Sequence, residues 1–146
     1  MERRLKPDGI ALIQAITIAD RHYDRARREI DFIKKYVFPG SCIPSVTALS
    51  SAMARKTDLR LYDLEDLTPH YAQTLRCWRE NLAASEDAIR ALGYTDEFLR
   101  RSEFYLSYCE GGFAERLIGS VHMVLTKSLS RPHGIDRSAT SVAVSK

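Results

Sequence analysis

Residues 10–18 read Ile-Ala-Leu-Ile-Gln-Ala-Ile-Thr-Ile, a nearly continuous apolar run rich in β-branched side chains. Such side chains are stiff at χ1 and fit a pleated sheet better than a helix. A run with so little polar alternation suits a strand covered on both faces. It is preceded by Leu5-Lys6-Pro7-Asp8-Gly9, where Pro and Asp-Gly stand in turn positions. A strand of this kind sits inside a sheet and needs neighbours on both sides. The expectation is therefore that part of the sheet belongs before residue 1.

Residues 31–45, Asp-Phe-Ile-Lys-Lys-Tyr-Val-Phe-Pro-Gly-Ser-Cys-Ile-Pro-Ser, impose a second constraint. Proline cannot continue a helix, and glycine takes backbone angles other residues avoid. Phe38 and Ile43 are thus expected on a rigid loop between two helices, placed to line a pocket instead of filling a core. Before this loop, Asp20 is placed to cap a helix with apolar positions Tyr23, Ala26, Ile30, Ile33 and Val37. After it, a short helix from residue 45 to about 55 carries Val46, Leu49 and Met53 on one side. Residues 59–67 alternate as a strand. Two long helices are expected next. One spans 70–92, with Tyr71, Leu75, Trp78, Leu82, Ile89 and Leu92 on one stripe, and ends at Gly93. The other is capped by Thr95, carries Phe98, Tyr105, Cys109, Phe113 and Leu117, and is broken by Gly119. A last strand covers 121–126, and the Ser-rich residues 128–146 suit a disordered tail. The alternation gives an α/β fold of about three strands plus long helices.

At 146 residues one domain is the natural expectation. A net charge of +3, with basic and acidic residues interleaved, argues against nucleic acid as a partner. The three cysteines are widely spaced and the four histidines show no ligand spacing, so neither a disulfide framework nor a metal site is expected. A reducing cytoplasm fits best. No apolar run reaches transmembrane length, and Met-Glu-Arg-Arg-Leu-Lys-Pro lacks the apolar core of a secretory signal.

Five landmarks occur in order: Leu-Lys-Pro-Asp-Gly (5–9), Gln-Ala-Ile-Thr-Ile (14–18), Asp-Phe-Ile-Lys-Lys-Tyr-Val-Phe-Pro-Gly (31–40), Tyr-Ala-Gln-Thr-Leu-Arg-Cys-Trp (71–78) and Tyr-Leu-Ser-Tyr-Cys-Glu-Gly-Gly-Phe (105–113). Together they resemble the C-terminal part of the cyclopropane-fatty-acyl-phospholipid synthases. These are S-adenosylmethionine-dependent class I methyltransferases with a Rossmann-like sheet. The resemblance implies a partial methyltransferase over 1–127, roughly the last third of a synthase. The glycine-rich loop that receives the cofactor follows the first strand of such folds, and no such loop occurs here.

The resemblance implies methylene transfer to the cis double bond of unsaturated phospholipid acyl chains, at the inner membrane surface. A bound bicarbonate is thought to serve as base in this family. Its cradle maps onto Gln14, Ile16 and Tyr71, because an anion in an apolar pocket needs hydrogen-bond donors. Many members carry histidine at position 14; Gln14 donates from its amide but carries no charge. Cys109 matches a cysteine often labelled catalytic, as Tyr71 also would be, although the mechanism needs no thiol adduct. Phe38, Ile43, Leu75, Tyr105 and Cys109 would wall an acyl tunnel. Without the resemblance, each is an ordinary core or strand-end residue. Cys77 and Trp78 read as packing, and the basic residues of 21–35 as a solvated face or a contact for lipid headgroups.

Three readings remain open on sequence grounds. The chain is part of an enzyme that needs a separate N-terminal half; or it is a noncatalytic acyl-binding module; or it self-associates through its first strand.

Overall fold

The computed structural model describes residues 2–131. The turn forms as expected, with Gly9 N–H donating to the Lys6 carbonyl at 2.9 Å. Strand β1 then runs Ile10–Ile18. It is followed by helix α1 (Asp20–Arg28), a π-helical turn (Ile33–Val37), α2 (Val46–Lys56), β2 (Arg60–Asp66), α3 (Thr68–Ala84), the short α4 (Glu86–Ala91), α5 (Asp96–Ala114) and β3 (Ile118–Thr126). The expected tail lies outside the described residues from 132 onward.

The sheet has the order β1-β3-β2, and both pairings are antiparallel. Among the described residues β1 pairs with β3 alone, so the second neighbour expected for it is not among them and its other edge is open; its outward face is less covered than expected, with Leu12 61% exposed. The central, buried strand is β3, with Met123 and Leu125 almost fully covered.

The two sheet faces differ. On one, Ala11, Ile13 and Ala15 of β1 join Val121, Met123 and Leu125 beneath Val46, Leu49 and Met53 of α2. On the other, Ile16 and Ile118 meet α3 and α5, whose contact is built from Leu75, Leu106 and Phe113. A side-chain period of two sends alternate β1 residues to these two clusters.

Several local expectations change. The helix expected over 20–37 ends at Arg28, leaving Ile30 exposed, and resumes as the π-helical turn. Asp20 does not cap its own helix, which begins after Ala19. Its carboxylate instead accepts from Thr47 N–H at 3.2 Å, tying the starts of α1 and α2 together. Ser45, as expected, caps α2 by accepting from Ala48 N–H. The helix expected over 70–92 divides at Ser85, and Leu92 is exposed. Leu99, Leu106 and Phe113 form the buried stripe of α5, while Phe98 points to solvent.

Gly119 does not break a helix. The chain reverses at Arg116, which has φ of 55°, and Gly119 lies within β3. A Cβ there would stand 2.8 Å from Thr68 Oγ1 and 3.3 Å from Thr17 Oγ1. Close approach of the α3 start to the sheet therefore requires glycine.

Candidate functional site

The loop after the π-helical turn is held at three points. Phe38 N–H donates to the Ile33 carbonyl at 2.8 Å, closing the π turn. Ser41 N–H donates to the Phe38 carbonyl at 3.0 Å, around a Gly40 with φ of 79°. Ile18 N–H donates to the Pro44 carbonyl at 3.0 Å, pinning the loop's end to the end of β1. The loop thereby closes one side of a cavity whose other walls are α3, α5 and the ends of β1 and β3.

This cavity has a volume of about 600 Å³. That is within the usual range for small-molecule sites. Phe38, Ile43, Leu75, Tyr105 and Cys109, the five residues expected to wall a tunnel, all line it. So do Ile16 and Tyr71. The rings are arranged edge to face or stacked. Phe38 meets Tyr105 with centroids 6.0 Å apart and planes at 83°. Tyr71 stacks on Phe113 at 4.7 Å and meets the edge of Trp78 at 6.4 Å. Gly112 lets α5 approach the sheet, since a Cβ there would meet Ile118 at 3.2 Å.

Three weak acids of the lining resist ionisation. Burial, then the nearby Asp31 carboxylate, pushes the Cys109 thiol up to about 11. Burial also raises the Tyr105 phenol, helped by Cys109 and Tyr71. Tyr108, another lining residue, is raised by burial and then by Asp31 and Cys109. At neutral pH these three groups are uncharged, and Cys109 is not a ready thiolate nucleophile.

Gln14 stands apart. It lies outside the cavity lining, is exposed, and directs its amide to Ser120 Oγ at 3.5 Å. Ile16 lies on the same face of β1, one side-chain repeat nearer the cavity. Because Ile18 N–H turns away from β3, strand alternation also turns the main-chain groups of Ile16 and Gln14 toward the free edge. The structure thus brings Ile16 and Tyr71 to one cavity and sets Gln14 beside it.

Residues missed on sequence grounds include Ile33, Tyr108 and Leu117, which line the cavity. Ile33 and Leu117 fell on stripes that suggested core. Trp78 was expected to pack, but it lines the cavity and is half exposed. Cys77 is exposed, with Gln73 amide nitrogen 3.6 Å from its sulfur, so the packing expectation is corrected for it.

A sequence profile of the family described as "Mycolic acid cyclopropane synthetase" matches residues 1–123. The chain belongs to the mycolic acid cyclopropane synthetase family. Members of this family are S-adenosylmethionine-dependent methyltransferases. The chain is 40% identical over 113 residues to the tuberculostearic acid methyltransferase UfaA1 of Mycobacterium tuberculosis, covering 77% of this chain and 26% of the relative. It is 32% identical over 130 residues to the cyclopropane-fatty-acyl-phospholipid synthase of Escherichia coli strain K12, covering 88% of this chain and 32% of that synthase. The mycolic acid cyclopropane synthase CmaA1, solved with SAH and CTAB, superposes with a TM-score of 0.75 at 26% identity. That likeness covers 86% of this chain and 46% of CmaA1. The chain therefore spans between about a quarter and a half of the length of these family members.

The described residues do not by themselves make a site for S-adenosylmethionine. The cavity is walled mostly by apolar and aromatic side chains, with Asp31, Lys34 and Glu115 among its lining, and the sequence has no glycine-rich turn after a strand to receive the nucleoside. Its chemistry suits a hydrocarbon chain.

Proposed function

We propose that this chain forms the acyl-facing side of a cyclopropane-fatty-acyl-phospholipid synthase, which adds a methylene group to the cis double bond of an unsaturated phospholipid acyl chain. The supporting observation is the cavity itself: about 600 Å³, walled by Phe38, Ile43, Leu75, Tyr105 and Cys109, with its thiol and neighbouring phenols held neutral. Such a site rewards burial of hydrocarbon and penalises unpaired charge. Aromatic faces there also favour a developing cation.

In this reading Cys109 lines the tunnel and does not attack. Tyr71 is the catalytic-site hydroxyl. Bicarbonate is held by that hydroxyl and by outward main-chain groups of Ile16, with the Gln14 amide at the rim. The S-adenosylmethionine site comes from an N-terminal half supplied separately or upstream. The protein works in the cytoplasm, peripheral to the inner membrane surface, and has no nucleic-acid partner.

A noncatalytic acyl-binding module is the second reading, favoured by the fact that one chain closes the cavity without a cofactor site. Mixing the purified chain with the upstream portion of the Escherichia coli synthase separates the two. Transfer of labelled methyl groups from S-adenosylmethionine to unsaturated phospholipid, absent with either piece alone, supports the enzyme. Acyl binding with no transfer in the mixture supports the module.

A further inference from the structure

The residue directly across the sheet from Gln14 is His122. Ile18 N–H bonds outward to Pro44, so Ile18–Ile118, Ile16–Ser120 and Gln14–His122 are the closely spaced pairs of the β1–β3 ladder. In such pairs the Cα atoms stand about 4.5 Å apart and the two side chains leave the same face. The Gln14 amide is therefore flanked on β3 by Ser120, whose Oγ it reaches at 3.5 Å, and by His122. On the far side of His122 the register brings Glu65 of β2. His122 Nδ1 lies 3.8 Å from Glu65 Oε2, an ion-pair distance once the imidazole is protonated. Asp63 shares that face, one side-chain repeat away along β2. A row of Gln14, His122 and Glu65 thus crosses all three strands, one repeat from Ile16 at the cavity.

The three side chains have different capacities. An amide donates a hydrogen bond but takes up no proton, whereas an imidazole can do both. A carboxylate behind the imidazole balances the charge that the proton brings, as in acid–base dyads. The side chains of His122 and Glu65 are 29% and 32% exposed, which covers the pair in part and leaves a way for a proton to reach water.

We propose that His122, with Glu65 behind it, is the proton acceptor of this site and takes up by way of the anion beside Gln14 the proton that the Gln14 amide cannot. This rests on the reading that places bicarbonate at Tyr71, Ile16 and Gln14. His122 Nε2 binds, through its lone pair, the proton released as the cyclopropane closes; the carbon–hydrogen bonding pair stays behind as the new carbon–carbon bond. The imidazolium, balanced by Glu65, then gives the proton to water, so His122 ends the cycle neutral.

The first test needs only the full chain. Its four histidines are His22, His70, His122 and His133. Sodium bicarbonate, titrated at fixed pH and ionic strength against sodium chloride, should shift the imidazole NMR signals of His122 saturably and leave the other three in place. Gln14→Leu should abolish the response. The second test is methyl transfer in the mixture with the upstream portion of the Escherichia coli synthase. His122→Gln should slow it at least about a hundredfold, and Glu65→Gln by a smaller factor. Gln14→His/His122→Gln, which moves the imidazole to the facing strand, should recover most of the rate; a merely structural role for His122 predicts no such rescue. A mixture without transfer whose His122 still answers to bicarbonate supports the site and counts against the enzyme reading. Absence of any His122 response to bicarbonate overturns the proposal. So does a His122→Gln mixture as fast as the wild type, or a loss that the exchanged pair does not restore.

Discussion

Tyr71 lies nearly parallel to Phe113, with ring centroids 4.7 Å apart and planes inclined by 27°. The stack joins α3 to α5 and fixes the Tyr71 ring at the cavity wall. Phe113 is buried, and its removal leaves a void against Leu75 and Leu106. Phe113→Ala is expected to cost about 3–5 kcal/mol of stability. Phe113→Leu should cost clearly less. Urea unfolding followed by circular dichroism measures both.

The cysteines should separate by reactivity. Cys42 and Cys77 are exposed, whereas the Cys109 thiol is pushed from about 9 up to about 11. Two pKa units correspond to on the order of a hundredfold less thiolate near neutral pH. Mass spectrometry of an iodoacetamide time course should show Cys42 and Cys77 modified first. Cys109 should lag far behind and gain rate as pH approaches 11. Fast labelling of Cys109 at neutral pH would favour a nucleophilic role instead.

Gly119 carries a steric prediction. Its added Cβ meets Thr68 Oγ1 at 2.8 Å, and that oxygen already accepts from Ser120 N–H at 3.2 Å. Gly119→Ala should destabilise by about 1–3 kcal/mol, outweighing the entropy gained in the unfolded chain. The midpoint of chemical unfolding reports it.

Asp66 makes stability depend on pH. Its carboxylate accepts from Thr68 N–H at 2.9 Å and pairs with Arg116 at 2.9 Å. Hydrogen bonding by the Thr68 side chain, more than by its N–H or by Arg116, holds its pKa below the ordinary value of 3.8. A lowered folded pKa contributes stability that is complete above the unfolded value and is lost as pH falls through the folded one. Between pH 6 and pH 3, wild-type unfolding midpoints should therefore fall more steeply than those of Asp66→Asn, which keeps an acceptor but does not titrate. Parallel curves would remove Asp66 from this role.

The elements legible in sequence were those set by local chemistry. The β-branched run marked β1 to the residue, Ser45 and Thr95 marked two helix starts, and Gly93 with φ of 91° closed the helix before it. What stayed hidden depends on partners distant in sequence. The apolar run of β1 could not reveal which strand it pairs with, because its pairing with β3 joins residues 100 or more positions apart. Gly119 reads as a breaker until Thr17 and Thr68 stand beside it. The periodicity from Tyr23 to Val37 also hides a break at residues 29–31, where the bonds are local: Asp31 accepts from Lys34 N–H at 2.8 Å and the Glu29 carbonyl accepts from Lys34 Nζ at 2.8 Å. Of the site, the resemblance to the synthases located the five wall residues. It did not show that Gln14 lies outside the cavity lining with its amide toward Ser120.

The chain's single tryptophan, Trp78, lines the cavity and allows its use as a reporter. Oleate, a cis-unsaturated fatty acid, titrated into the purified chain should change Trp78 emission saturably at one equivalent per chain. Cys109→Phe, or Ile43→Phe on the loop should the first variant fail to fold, should greatly weaken that change by filling the space. If Trp78 shows no saturable response, or if folded cavity-filled variants respond like the wild type, the cavity is not an acyl site and the account fails.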